Sequence, residues 1–291
     1  MKNLMKYFPV VTGTFLILCF ASCEKEIDLN LPDPEIKIVV QGWIDQNDYA
    51  IVMLTRSSPF FSVVDSAAML NMIVQNATVV VTDGIIYDTL TPTFDPSYFP
   101  PFLYKGSILK GEVNKTYHLK VITDSITLTA SATVTHPVPL DSAWFEVEED
   151  QDSLGYVWGY FQDPAEELNY YRLFTKRLNK DVRFIPSLYS SYDDKFFNGQ
   201  SFEFSLMRGI ESLTDTTSDP EMGFYKIGDT IIVKACTMDK ANYDFWRSAE
   251  GEMYSSGNPF ASPTQIVTNI EGGGLGVWSG YGVFSDTVIC K

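Results

Sequence analysis

Apolar and polar positions alternate with a period of two through much of this chain. Ile126, Leu128, Ala130, Ala132 and Val134 alternate with Thr127, Thr129, Ser131 and Thr133, which predicts a strand with one face to a core and one to water. Tyr117, Leu119, Val121 and Thr123 alternate with His118, Lys120 and Ile122 just before it, and Asp124-Ser125 turns the two runs into a hairpin. Further strands are predicted over residues 36–43, 49–56, 77–82 and 85–90, the last two joined by Asp83-Gly84, a strong hairpin signal. Six strands without a helix predict an antiparallel β-sandwich over residues 36–136.

Thr135-His136-Pro137-Val138-Pro139 breaks the pattern, because two prolines favour an extended link, and a domain boundary is expected there. Strands resume over residues 142–149, 156–162, 170–176, 202–206 and 230–238. A single helix is predicted over about 240–255, with Asp239 as its N-cap, Phe245, Trp246, Ala249 and Met253 as its apolar stripe, and Gly257 beyond its end. The expected architecture is mainly β: two antiparallel sandwiches, 36–136 and 137–291, the second carrying one packed helix. The stretch from Leu109 to Val121 resembles the tyrosine corner of fibronectin-type and immunoglobulin-like domains. That resemblance implies a buried Tyr117 whose hydroxyl returns to upstream backbone.

The first residues follow another rule. Lys2 and Lys6, an apolar stretch from about Tyr7 to Phe20, and the small pair Ala21-Ser22 are the parts of an export signal. Pro9, Thr12, Gly13 and Thr14 interrupt the run, which falls short of the roughly 20 residues that span a bilayer. Leu18-Cys19-Phe20-Ala21-Ser22-Cys23 has the form cut by a lipoprotein signal peptidase. Residues 1–22 are therefore expected to be removed, and Cys23 to carry the acyl chains, palmitate among them, that hold the body to a bilayer. Residues 23–35, with Glu24-Lys25-Glu26-Ile27-Asp28 and two prolines, suit a solvated tether, and they resemble the surface-export signals of Bacteroidota lipoproteins. The expected location is the outer membrane, on the cell surface.

The net charge of −16 repels phosphate backbones, which excludes nucleic acid as a natural partner. Hydrophobic content of 45% suits a packed chain rather than a disordered one. With Cys19 removed and Cys23 lipidated, Cys236 and Cys290 remain, either as one disulfide or as two buried thiols. No histidine stands near them, so no metal site and no cofactor is expected. Asp150-Gln151-Asp152-Ser153-Leu154-Gly155 opens like a calcium loop but puts Leu154 and Phe161 where oxygen ligands belong. It reads as an acidic hairpin turn, with weak calcium binding by Glu148, Asp150 and Asp152 as the alternative.

Catalysis finds little support. His118 lies on the solvent face of a strand, His136 lies in the proline link, and no Gly-x-Ser-x-Gly elbow occurs. Glu148, Glu149, Glu166, Glu167, Glu203 and Glu211 are the carboxylates available to a glycosidase, but abundance alone assigns none of them. Three aromatic loops are better candidates for contact: Phe60 and Phe61; Tyr98 and Phe99 among prolines; and residues 184–199 with Tyr189, Tyr192, Phe196 and Phe197. Each of these loops can instead fold down on its own sheet.

Cys23-Glu24-Lys25-Glu26-Ile27-Asp28-Leu29, Val39-Val40-Gln41-Gly42-Trp43-Ile44, the segment 54–61, the helix start Asp239–Arg247, and Gly257–Pro263 with the later Leu275-Gly276-Val277-Trp278 together resemble the domain of unknown function 4249 family of Bacteroidota lipoproteins. The segments occur in the same order across nearly the whole chain. The resemblance implies an outer-membrane lipoprotein working beside a TonB-dependent β-barrel transporter, and it assigns a role to no residue but Cys23. The expected function is non-catalytic binding of a peptide or glycan as a transporter accessory. An adhesive or structural envelope module is the alternative, and a surface glycan or peptide hydrolase is third.

Overall fold

Period-two runs become strands because β-branched and aromatic side chains pack on one pleated face while Thr, Ser and Lys meet water on the other. A computed structural model describes residues 35–59, 66–123, 125–210, 221–255 and 265–291. The signal, Cys23, the tether up to residue 34, Phe60, Phe61, Glu211 and Gly257 lie outside the described residues. In chain order the first half contains β1 (Ile38–Asp45), β2 (Tyr49–Arg56), α1 (Ser66–Met72), β3 (Thr78–Thr82), β4 (Tyr87–Thr89), β5 (Thr91–Phe94), β6 (Phe102–Lys110), β7 (Thr116–Ile122) and β8 (Thr127–Thr133). Then follow β9 (Ser142–Val147), β10 (Leu154–Gln162), β11 (Tyr170–Arg177), β12 (Ile185–Asp193), β13 (Ser201–Leu206), β14 (Tyr225–Lys226), β15 (Thr230–Met238), α2 (Lys240–Ser255) and β16 (Leu275–Ile289).

Eight strands make one long sheet in the order β12-β11-β15-β16-β1-β2-β6-β5. Its pairs are antiparallel except β1 with β16, which is parallel. Two smaller antiparallel sheets accompany it: β4-β3-β7-β8, and β13-β10-β14 with β9 also paired to β10. Val40, Val52 and Trp278 of the long sheet pack with Val79, Leu119 and Leu128 of the first small sheet. Tyr171, Ile231 and Val233 pack with Val157, Phe161 and Leu206 of the second. Along β16, Trp278 enters the first core, and Phe284 and Val288 enter the second. Their even spacing places all three on one face of the strand.

The structure is mainly β with antiparallel sheets and a packed helix, as expected. The boundary expected at Pro137 does not divide it, for residues Ile36–Lys291 form one compact unit. Prolines set the local path of a link, but strand pairing reaches further: β16 comes from the second half and inserts between β15 and β1. The two sandwiches share a sheet. At the crossing from β1 to β16, Gly276 adopts φ +103°, and a Cβ there would lie 1.9 Å from the carbonyl oxygen of Val40. Only glycine lets the parallel pair start.

Local expectations fare unevenly. Tyr117 is fully buried, its hydroxyl donates to the Lys110 carbonyl at 2.8 Å, and it accepts from the Glu112 N–H at 2.9 Å. The tyrosine corner is present. Asp239 caps α2, its Oδ1 accepting from the Asn242 N–H at 3.0 Å. The stripe of α2 is displaced from the expected one: Asn242, Ala249 and Glu250 are buried, whereas Met253 is 67% exposed. Much of the expected aromatic loop 184–199 is the edge strand β12, which pairs with β11 across a bulge between Arg172 and Phe174.

The disulfide considered for Cys236 and Cys290 does not form, because both are buried free thiols. Cys236 stands opposite Val283 in the β15–β16 ladder, whereas Cys290 lies past the far end of β16. At about 3.3 Å per residue that separates them by roughly 23 Å, against the about 7 Å that a bridge tolerates. Burial pushes each thiol pKa up to about 12.

Candidate functional site

The alternation that sends Trp278 and Phe284 to the cores sends Ser279, Tyr281, Val283 and Ser285 to the opposite face of β16, where they line a cavity of about 590 Å³. Neighbouring strands present their own outward residues beside them. Trp43 and Asp45 come from β1, Arg172 and Phe174 from β11, and Lys234 from β15. Tyr98 and Phe99, the pair Arg183 and Phe184, and Trp246 of α2 complete the walls. The cavity thus lies on strands from both halves of the chain. Its volume falls in the range of small-molecule sites.

Lys234 sits at the centre of this face with only 8% of its surface exposed. Its ammonium pairs with Asp45 Oδ2 and lies 5.2 Å from the ring centre of Phe174, 5.5 Å from Phe184 and 6.0 Å from Tyr281. Burial works against the charge, but the Asp45 carboxylate, by its charge and its hydrogen bond, holds the pKa above the usual lysine range. The lysine therefore stays an ammonium.

Arg172, 4% exposed, is committed on several sides. Nε donates to Ser190 Oγ at 3.3 Å, Nη1 donates to the Tyr281 hydroxyl at 3.0 Å, and the guanidinium lies 3.3 Å from the Trp246 ring centre. Ser190 in turn donates its N–H and its hydroxyl to Glu250, a buried carboxylate on α2 that also accepts from the N–H and hydroxyl of Ser191. Tyr243 donates to Asp193 at 3.1 Å. These bonds fix α2 on β12 and with it the position of Trp246.

Three polar atoms of the lining are buried without a hydrogen-bond partner among the described residues: Asp45 Oδ1, Ser279 Oγ and Trp246 Nε1. Buried polar groups are ordinarily satisfied, so these three atoms are exceptions that share one lining. Arg183 differs from the other two cations, for its guanidinium lies 5.8 Å from the Tyr98 ring centre and makes no hydrogen bond or ion pair among the described residues. The Tyr98 phenol has a raised pKa through burial first, then through Asp95 and Asp45, with Arg183 and Lys234 opposing. These charges converge on one wall.

Of the aromatic residues expected to make contacts, Tyr98 and Phe99 reach the cavity, Tyr98 against Trp43 at 6.0 Å and Phe99 65% exposed. Tyr189 packs on Tyr254 of α2, with ring centres 4.3 Å apart and its N–H bonded to the Tyr254 hydroxyl. Tyr192 and Phe197 border the second core and line a separate apolar slot of about 30 Å³, room for about one water. Phe196 is 87% exposed. Phe60 and Phe61 lie outside the described residues. Glu148, Asp150 and Asp152 are exposed at the β9–β10 turn, where Asp150 takes φ +69°, and no acidic, His or Cys group among the described residues could hold a metal.

Asp45, Arg172, Arg183, Lys234 and Ser279 were not singled out from sequence. The signal was there in part: Lys234 interrupts the apolar run Ile231-Ile232-Val233-Lys234-Ala235-Cys236, where a charge demands a partner.

The family model described as Domain of unknown function (DUF4249) matches residues 24–287. No curated protein matches the chain.

Proposed function

We propose, from the premise that the chain belongs to the DUF4249 family, that it is a lipid-anchored, non-catalytic binding protein of the outer-membrane surface that captures a small ligand for a TonB-dependent transporter. The observation that carries the binding role is the cavity of about 590 Å³ with its unpartnered Asp45 Oδ1 and Ser279 Oγ. Among the described residues its lining has no histidine or cysteine, and its lysine is held charged, so it supports recognition better than nucleophilic or proton-transfer chemistry. The Ala21-Ser22-Cys23 sequence supports the anchor. Exposed Phe99 at the cavity and Phe196 away from it supply apolar contact for a barrel. The test is a C-terminally tagged chain extracted gently from native outer membranes. A TonB-dependent barrel eluting in equal amount is expected, and a lipoprotein eluting alone overturns the partnership.

A further inference from the structure

We propose that the cavity takes a small carboxylate ligand with a planar or apolar body, the carboxylate held by Arg183 and the unspent donors of Lys234. This rests on the reading of the cavity as a ligand site.

The charge balance is the first argument. The chain carries −16, yet among the described residues three cations, Arg172, Arg183 and Lys234, meet two carboxylates, Asp45 and Asp48, in the lining. A local excess of cation in an acidic protein concentrates an anion where the rest of the surface repels it. Availability is the second. Arg172 is consumed by Ser190, Tyr281 and Trp246, so it forms a wall. Lys234 has three donors and gives one to Asp45. Arg183 keeps its planar fork of donors with no carboxylate among the described residues, and that fork fits a carboxylate in bidentate geometry.

The remaining lining describes the rest of the ligand. Asp45 Oδ1 and Ser279 Oγ are buried, and Ser279 is only 1% exposed, so they call for an N–H or O–H on the bound molecule. Trp43 and Tyr98, tilted at 38° to one another, offer rings against which a flat or apolar body lies. A peptide with a free C-terminus and an acidic sugar both carry this combination.

The experiment is calorimetric titration of the full lipidated chain in detergent with two matched pairs: N-acetyl-diphenylalanine and its C-terminal amide, and trigalacturonate and its methyl ester. At least one acid is expected to bind, with its neutral form about 10- to 100-fold weaker, as loss of a charge-assisted contact implies. Arg183→Gln is expected to bring that acid down to the affinity of its neutral form, and Arg183→Lys to restore part of it, both with an unchanged melting temperature. The winning pair identifies the source. Neutral forms binding as tightly as acids, acid binding indifferent to Arg183→Gln, or no acid binding overturns the proposal. A barrel that co-purifies while neither acid binds removes the ligand assignment alone, and acid binding without a barrel removes the partnership alone.

Discussion

Trp278 and Ser279 are neighbours on β16 and almost equally buried, at 0% and 1% exposure, yet they are buried in different ways. Trp278 faces the first core, donates Nε1 to the Tyr117 carbonyl at 2.9 Å and lies across Gly42, where a Cβ would come within 2.9 Å of its ring. Ser279 faces the cavity, and its hydroxyl has no partner among the described residues. On β16 the core-facing Trp278 has its one side-chain polar atom satisfied, while the cavity-facing Ser279 hides a hydroxyl without a partner among the described residues. Burial therefore does not distinguish these two neighbours, whereas hydrogen-bond satisfaction does.

The strongest way to break that contrast is Trp278→Ala. Loss of a fully buried aromatic joining both sheets is expected to cost about 3–5 kcal/mol, read as a lower urea midpoint for the whole unit. A cost near zero would mean the inner face is not the scaffold. On the outer face, Asp45→Asn leaves the Lys234 ammonium buried beside an uncharged partner and is expected to cost about 3 kcal/mol. Adding Lys234→Met should recover most of that loss, and failure to recover would show that the pair is structural rather than a feature of the cavity.

A smaller effect follows from pH. The thiols of Cys236 and Cys290 sit near 12 in the folded chain against an ordinary 9, so between those values the unfolded chain loses protons that the folded chain keeps. Their contribution is intact below pH 9 and fades as pH rises toward 12, measurable as a falling urea midpoint. Reductant should change nothing, since no bridge joins them. Smallest of all is Ser279→Ala, expected to leave the ligand-free chain equal or slightly more stable, by up to about 1 kcal/mol, because it deletes an unsatisfied hydroxyl. A clear destabilisation would restore symmetry between the faces.

What the sequence made legible was local. The alternation of residues 126–134, the Tyr117 corner and the Asp239 cap each depend on neighbours within a few positions, and all three are present. β12 was hidden because Pro186, the bulge opposite Arg172 and the φ of +53° at Tyr189 interrupt its alternation. The cavity was hidden for another reason. Asp45, Arg172, Lys234 and Ser279 lie far apart in the chain and meet only through the strand order β11-β15-β16-β1, which no window of sequence contains.

The insertion of β16 between β15 and β1 also sets a timetable. Residues 36–136 hold most of the first core, but Ile270 and Trp278 complete it, so this half must wait for the last strand before its packing closes. Until then β1 keeps one edge unpaired, a template for any passing strand. A chain that emerges residue by residue is thus exposed to misassociation for the whole interval, and neither half is an independent cargo that could be cut out, swapped or matured ahead of the other.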